Sequence, residues 1–205
     1  MIGLMLKDLL NLKKQAKIYL VLIIFYYILG IANEDFSMAG SMIAILAAMI
    51  PITAMAYDEK SKWERYALTM PISRTSLVVS KYALGLIFLI LASAITMIFS
   101  LIFSSIPIKQ SILTNIAVLS TGILLISIVF PILFKFGVEK GRILMMLVLF
   151  APTAALILLS KSGFKFAAID ERAITSLIYL SPAVAVIILA ASVLISLSIY
   201  RKKEF

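Results

Sequence analysis

The sequence contains neither cysteine nor histidine. Without cysteine there are no disulfides and no thiol nucleophile, and without histidine most zinc sites and the usual proton shuttle are excluded. Charge is scarce as well: 14% of the 205 residues are charged and 63% are hydrophobic. Mean hydropathy is +1.13. A soluble globular domain carries about 45–50% apolar residues, so a water-soluble fold is excluded. No ionisable residue lies in the middle of any long apolar run, where it would cost at least ~2.5–3.5 kcal/mol and would mark an ion or proton pathway. This argues against a proton- or sodium-coupled carrier, and the absence of histidine argues against an intramembrane metalloprotease. No G-x-x-x-x-G-K-[ST] pattern is present to cradle phosphates, so nothing in the chain carries ATP chemistry.

What the sequence does contain is apolar stretches long enough to cross a bilayer, each needing ~20 residues. Six are expected, at about 16–32, 38–56, 81–106, 112–134, 142–160 and 174–199, which makes an all-α integral membrane domain of the whole 1–205 chain. Short loops use up the remainder, so a catalytic or nucleotide-binding domain is expected on a separate polypeptide. Lysine and arginine fix the direction. Of 19 basic residues, 15 fall before the first span, in 57–82, in 135–142 and in the tail Arg201, Lys202 and Lys203. By the positive-inside rule these segments and both termini face the cytoplasm, which requires an even number of spans. The net charge of +9 is thereby explained by orientation against an anionic leaflet rather than by nucleic acid.

Residues 1–17 alternate with helical period. Ile2, Met5, Leu6, Leu9, Leu10 and Leu12 fall on one side, and Lys7, Asn11, Lys14 and Lys17 fall mostly on the other. The pattern predicts a helix lying in the membrane surface. It does not read as a cleaved signal peptide, because Lys13, Lys14 and Lys17 stand too far in and no small-x-small site follows. Prolines at 51, 131, 152 and 182 predict packed, kinked spans.

The longest cytoplasmic loop, 57–80, is patterned rather than featureless. Ser61 and Glu64 have capping-box spacing, which predicts a short helix from Lys62 to Thr69. Pro71 disfavours helical geometry at Met70, and Ser73 is placed to cap the next helix. Trp63, Tyr66, Ala67 and Met70 share one side of the short helix, with Lys62, Glu64 and Arg65 around it. That face suits anchoring at headgroup depth, and it equally suits a knob for a soluble partner.

The run W-E-R-Y-A-L-T-M-P-I-S-R from Trp63 to Arg74, followed by Lys81, resembles the loop between the second and third spans of bacterial ABC type-2 transporter permeases. The likeness is to the small six-span members without an extracellular domain, and among them to permease subunits of phenol-soluble-modulin-type peptide exporters. Together with the amphipathic start, span layout and length, it extends over essentially the whole chain. The resemblance implies a pore made of two permease copies, a homodimer or a pair of close paralogues. It further implies that two separate ATP-binding-cassette subunits dock beneath, ATP and Mg belonging to that partner. It casts Ser61 to Thr69 as the coupling helix, with Ser61, Trp63, Glu64, Arg65, Tyr66, Met70, Pro71 and Arg74 as ATPase contacts. Residues 2–14 become the interfacial elbow, and the second cytoplasmic loop, with Glu139, Lys140 and Arg142, becomes a minor contact. Export of a hydrophobic or amphipathic cargo such as a peptide is implied in the same way.

Ser93, Thr96, Ser100 and Ser104 form a hydroxyl stripe on the third span, which suits close helix packing and equally a translocation face. Ser192 and Ser196 make a weaker version on the last span. Two other functions fit a small six-span protein: the vitamin-binding component of an energy-coupling-factor importer, and a non-transport immunity or scaffold protein. Short, weakly polar outer loops and an elaborate cytoplasmic one speak against the first of these.

Overall fold

The chain is described as a computed structural model covering residues 2–13, 15–70, 72–141, 143–144, 146–147, 150 and 171–203. Every regular element among the described residues is helical: α1 (Ile2–Leu12), α2 (Ala16–Ala32), α3 (Ser37–Lys60), α4 (Trp63–Thr69), α5 (Arg74–Phe103), α6 (Ile108–Phe136) and α7 (Glu171–Lys202). Helical geometry also resumes over 138–141, after Gly137. Helices α3, α5, α6 and α7 are each long and apolar enough to cross a membrane. Helices α1 and α2 meet at 78° and add a fifth span if taken as one bent unit. At 17 residues, α2 is at the lower limit for crossing alone. The stretch expected to form a span at 142–160 lies almost wholly outside the described residues.

Helix α3 runs further than expected, continuing to Lys60 instead of stopping near 56, while α5 starts at Arg74, directly after the expected cap at Ser73 and ahead of the span expected from 81. Most of the expected loop is therefore helix. Polar residues can extend a helix beyond the bilayer when their side chains find partners there, and Asp58, Glu59 and Lys81 all do.

The core sits where α3, α5, α6 and α7 meet. Small residues let the backbones approach closely. A Cβ on Gly85 would stand 2.9 Å from Ile126 and 3.3 Å from Pro51, and one on Gly122 would stand 2.8 Å from Leu89. Tyr82 lies in an aromatic group with Phe130 and Phe134, and Phe134 packs edge-on to Tyr200. The Tyr82 hydroxyl is bonded to Ser192 at 2.6 Å and Ser196 at 2.8 Å, and Ser192 donates to the Ser127 carbonyl at 2.6 Å. The weaker hydroxyl pair on the last span thus serves packing of α5, α6 and α7. At the opposite end, the backbone N–H and hydroxyl of Ser37 both donate to the Asp35 carboxylate at 2.8 Å, starting α3.

In α1 most of the apolar side expected to meet the membrane surface is exposed, and a narrower stripe turns into the bundle. Leu4, Asp8 and Leu12, spaced i, i+4, i+8, are the buried stripe of α1, while Ile2, Leu6, Leu9 and Leu10 are exposed. Hydrophobic residues face outward because hydrocarbon is an acceptable solvent for them. The inward stripe is chosen by what it meets in the bundle.

Candidate functional site

Asp8 on that inward stripe is 1% exposed. A buried carboxylate persists only when paired. Its partners are two lysines, which a second carboxylate shares. Lys81 of α5 donates to Asp8 at 2.7 Å and to Asp58 of α3 at 2.6 Å, and Lys7 pairs with Asp8 at 3.0 Å and also with Asp58. The four charges form a closed ring of alternating sign, Lys7–Asp8–Lys81–Asp58, with zero net charge. Three helices are joined by it: α1, α3 and α5. Sequence reasoning missed this ring. Each member looks like an ordinary basic or acidic flank of a span, and the pairs that join different helices lie 23 to 73 residues apart. The available signal was Asp8, a lone acid among the apolar positions of α1.

Helix α4 closes over the ring. The Lys7 ammonium stands 4.7 Å from the centre of the Trp63 ring, a cation–π contact. The Trp63 side chain also packs against the main core cluster, and Ala67 one turn on is 0% exposed. The one side expected of Trp63, Tyr66, Ala67 and Met70 is therefore an arc that the structure divides. Positions 63 and 67 turn inward, while Tyr66 (63% exposed) and Met70 (47% exposed) turn outward beside the exposed Arg65. Beneath the indole is a cavity of about 90 Å³ walled by Asp58, Glu59, Lys81, Tyr200 and Lys203. The indole N–H is buried without a protein partner, and the cavity has room and polar groups for water.

The capping box does not form. Ser61 belongs to the helix before it, donating to the Tyr57 carbonyl at 2.8 Å at the end of α3. The position before α4 is Lys62, with φ 52° and no side-chain cap. Because α3 runs on through Lys60, Ser61 and Lys62 alone reverse the chain, and a left-handed residue is needed to do so. The other end is as expected: Met70 is extended, as suits a residue before proline, and the Ser76 N–H donates to Ser73 at 3.1 Å. The Glu64 side chain and Pro71 lie outside the described residues. Arg74 donates to the carbonyls of Arg201 and Lys203, tying the start of α5 to the end of α7.

The segment after α6 is fastened to the same place. Gly137, at φ 80°, turns the chain after α6, and the Val138 N–H donates to the Glu59 carboxylate. Glu139 and Lys140 are exposed; Arg142 lies outside the described residues. Glu139 lines an open groove of about 600 Å³ with Gln15, Tyr57, Glu59 and Lys60, so the end of α3 and the segment after α6 share one concave surface.

The hydroxyl stripe of α5 has mixed employment. Ser93 donates to Asn115 of α6 at 2.6 Å, and the Asn115 amide returns a bond to the Ser93 carbonyl at 3.2 Å. Thr96 donates to Ala92 and touches the Tyr27 hydroxyl at 3.3 Å. With Ser100 they line a cavity of about 30 Å³, room for one water. Ser104 departs from them, donating to the Glu34 carbonyl at 2.9 Å.

Several apolar spans packed through small residues, with a charged end held by helix-to-helix ion pairs, define a multi-pass helical membrane protein. Residues 3–201 match the family described as ABC-2 family transporter protein, and the chain belongs to that family. It is a membrane component of a transporter, not itself catalytic, and the family implies an ATP-binding-cassette partner. No curated protein matches the sequence.

Proposed function

We propose that the chain is the six-span permease subunit of an ATP-driven exporter in the bacterial cell membrane, two copies forming the path for a hydrophobic or amphipathic cargo such as a peptide. Helices α2, α3, α5, α6 and α7 supply five spans, and 142–160 supplies the sixth. Both termini, α4 and the segment around Glu139 face the cytoplasm, in keeping with 15 of the 19 basic residues on that side. Helix α1 lies at the interface with Ile2, Leu6, Leu9 and Leu10 in lipid. Family membership favours this reading over a vitamin-binding component or a scaffold.

One observation carries the coupling role: α4 is joined to α3 by two residues, is held from inside by Trp63 and Ala67, and presents Tyr66 and Met70 outward. A short helix so fixed passes a partner's movement into the ends of α3 and α5. Arg65, Tyr66 and Met70 are the direct contacts in this reading, Trp63 acts from inside, and the groove bordered by Glu139 takes the secondary contact. The test is to replace Tyr66 and Met70 together with alanine and purify the permease with its ATPase. Loss of an aromatic interface anchor worth on the order of 2 kcal/mol weakens assembly about 30-fold. Unchanged co-elution and ATP turnover in a normally inserted variant rejects the coupling role.

A further inference from the structure

The largest apolar hollow described in the molecule is a lateral groove of about 520 Å³ between α1, α2, α3 and α5. Its wall includes Leu20, Ile23, Ile43, Ala47, Phe88 and Leu91, and its volume falls in the ~300–1,000 Å³ range of ligand sites. Two hydroxyls reach the wall and both are engaged within the protein, Tyr19 with Thr53 at 2.9 Å and Tyr27 with Thr96 at 3.3 Å. The body of an occupant therefore meets only hydrocarbon. Among the described residues one charged side chain lines the groove, the exposed Lys13 at its mouth, with the exposed Lys17 four residues on. From Ala16 at the mouth to Tyr27 at the deep end, α2 rises about 16 Å. That is the depth of one leaflet of a ~30 Å hydrocarbon core.

We propose that this groove holds one acyl chain of an anionic phospholipid from the leaflet on the basic side of the bundle, with the headgroup phosphate on Lys13. A cation at the mouth, hydrocarbon along the wall and one-leaflet depth together select this ligand over a zwitterionic lipid. They also select it over a polar solute, for which the wall has no free partner. The site lies outside the α4 surface and stands whether or not α4 couples to an ATPase.

The purified full-length chain is titrated with phosphatidylglycerol or phosphatidylcholine, and retained lipid is counted by native mass spectrometry. Phosphatidylglycerol is expected at one molecule per chain and about fivefold tighter, the ratio that ~1 kcal/mol per lysine sets. Lys13→Gln reduces that preference to parity. Leu20→Trp narrows the groove from an exposed position and weakens retention of both lipids, while the size-exclusion profile reports folding independently. Equal retention of the two lipids by the wild-type chain overturns the proposal, and so does a preference that survives Lys13→Gln. Efficient disulfide formation between two chains carrying Leu20→Cys in membranes also overturns it, by placing a second copy in the groove.

Discussion

Replacing Lys81 with methionine removes one corner of the ionic ring while keeping the side chain's length and apolar stem. What remains is Lys7 with two carboxylates, one of them 1% exposed. Either a carboxylate takes up a proton or water must enter to hydrate it. Breaking a buried pair by deleting one partner costs ~3–5 kcal/mol, a large share of the ~5–15 kcal/mol that holds most proteins folded. At ~2–4 °C per kcal/mol for a chain of this size, the midpoint falls by about 6–20 °C. Restoring neutrality by adding Asp8→Asn leaves one intact Lys7–Asp58 pair. The double variant should then be more stable than Lys81→Met alone, with an interaction energy of ~0.5–3 kcal/mol. Trp63 is the single tryptophan, and it lies over Lys7, so its fluorescence during thermal unfolding in detergent reports on the ring itself. A Lys81→Met midpoint within ~2 °C of wild type would show that the ring contributes no stability. A double variant less stable than the single would show that charge balance is not what holds it.

Tyr82→Phe should cost ~1–3 kcal/mol by taking the phenol from the buried Ser196 hydroxyl, while Ser192 keeps its bond to the Ser127 carbonyl, read as a lowered unfolding midpoint; no loss would mean water replaces the phenol. Gly137→Ala should cost about 1–3 kcal/mol, because φ is 80° and a Cβ would stand 2.6 Å from the Glu59 carboxylate; an unchanged midpoint would show the corner is not held by that carboxylate. Cysteines introduced at Ser61 and Ser37 in this cysteine-free chain should label from opposite sides with an impermeant thiol reagent. Labelling of Ser61 from outside intact cells would reverse the orientation.

Local signals read well from the sequence, and long-range ones did not. The stop at Met70 and the cap at Ser73 depend on neighbours within three residues, and both formed. The cap at Ser61 also looked local, but α3 was extended by partners far away in the chain: Lys7 and Lys81 for Asp58, Val138 for Glu59. Ser61 was consumed by that extension. For α1 the periodicity marked the apolar side that is exposed but not the narrow stripe that turns inward, and the one buried acid there, Asp8, was the informative residue. For α4 the pattern located the helix but could not divide its aromatic arc, since Trp63 turns inward onto Lys7 and the core, both set by distant parts of the chain.

The ring's electrical sum has a consequence for how the bundle can be driven. A membrane potential does about 2.3 kcal/mol of work per elementary charge per 100 mV on charges it displaces. Lys7, Asp8, Lys81 and Asp58 sum to zero and travel together, so displacing α1, α3 and α5 as a block moves no net charge from the ring through the field. Voltage has no handle on that block through these four residues, unlike a span that carries a lone charge.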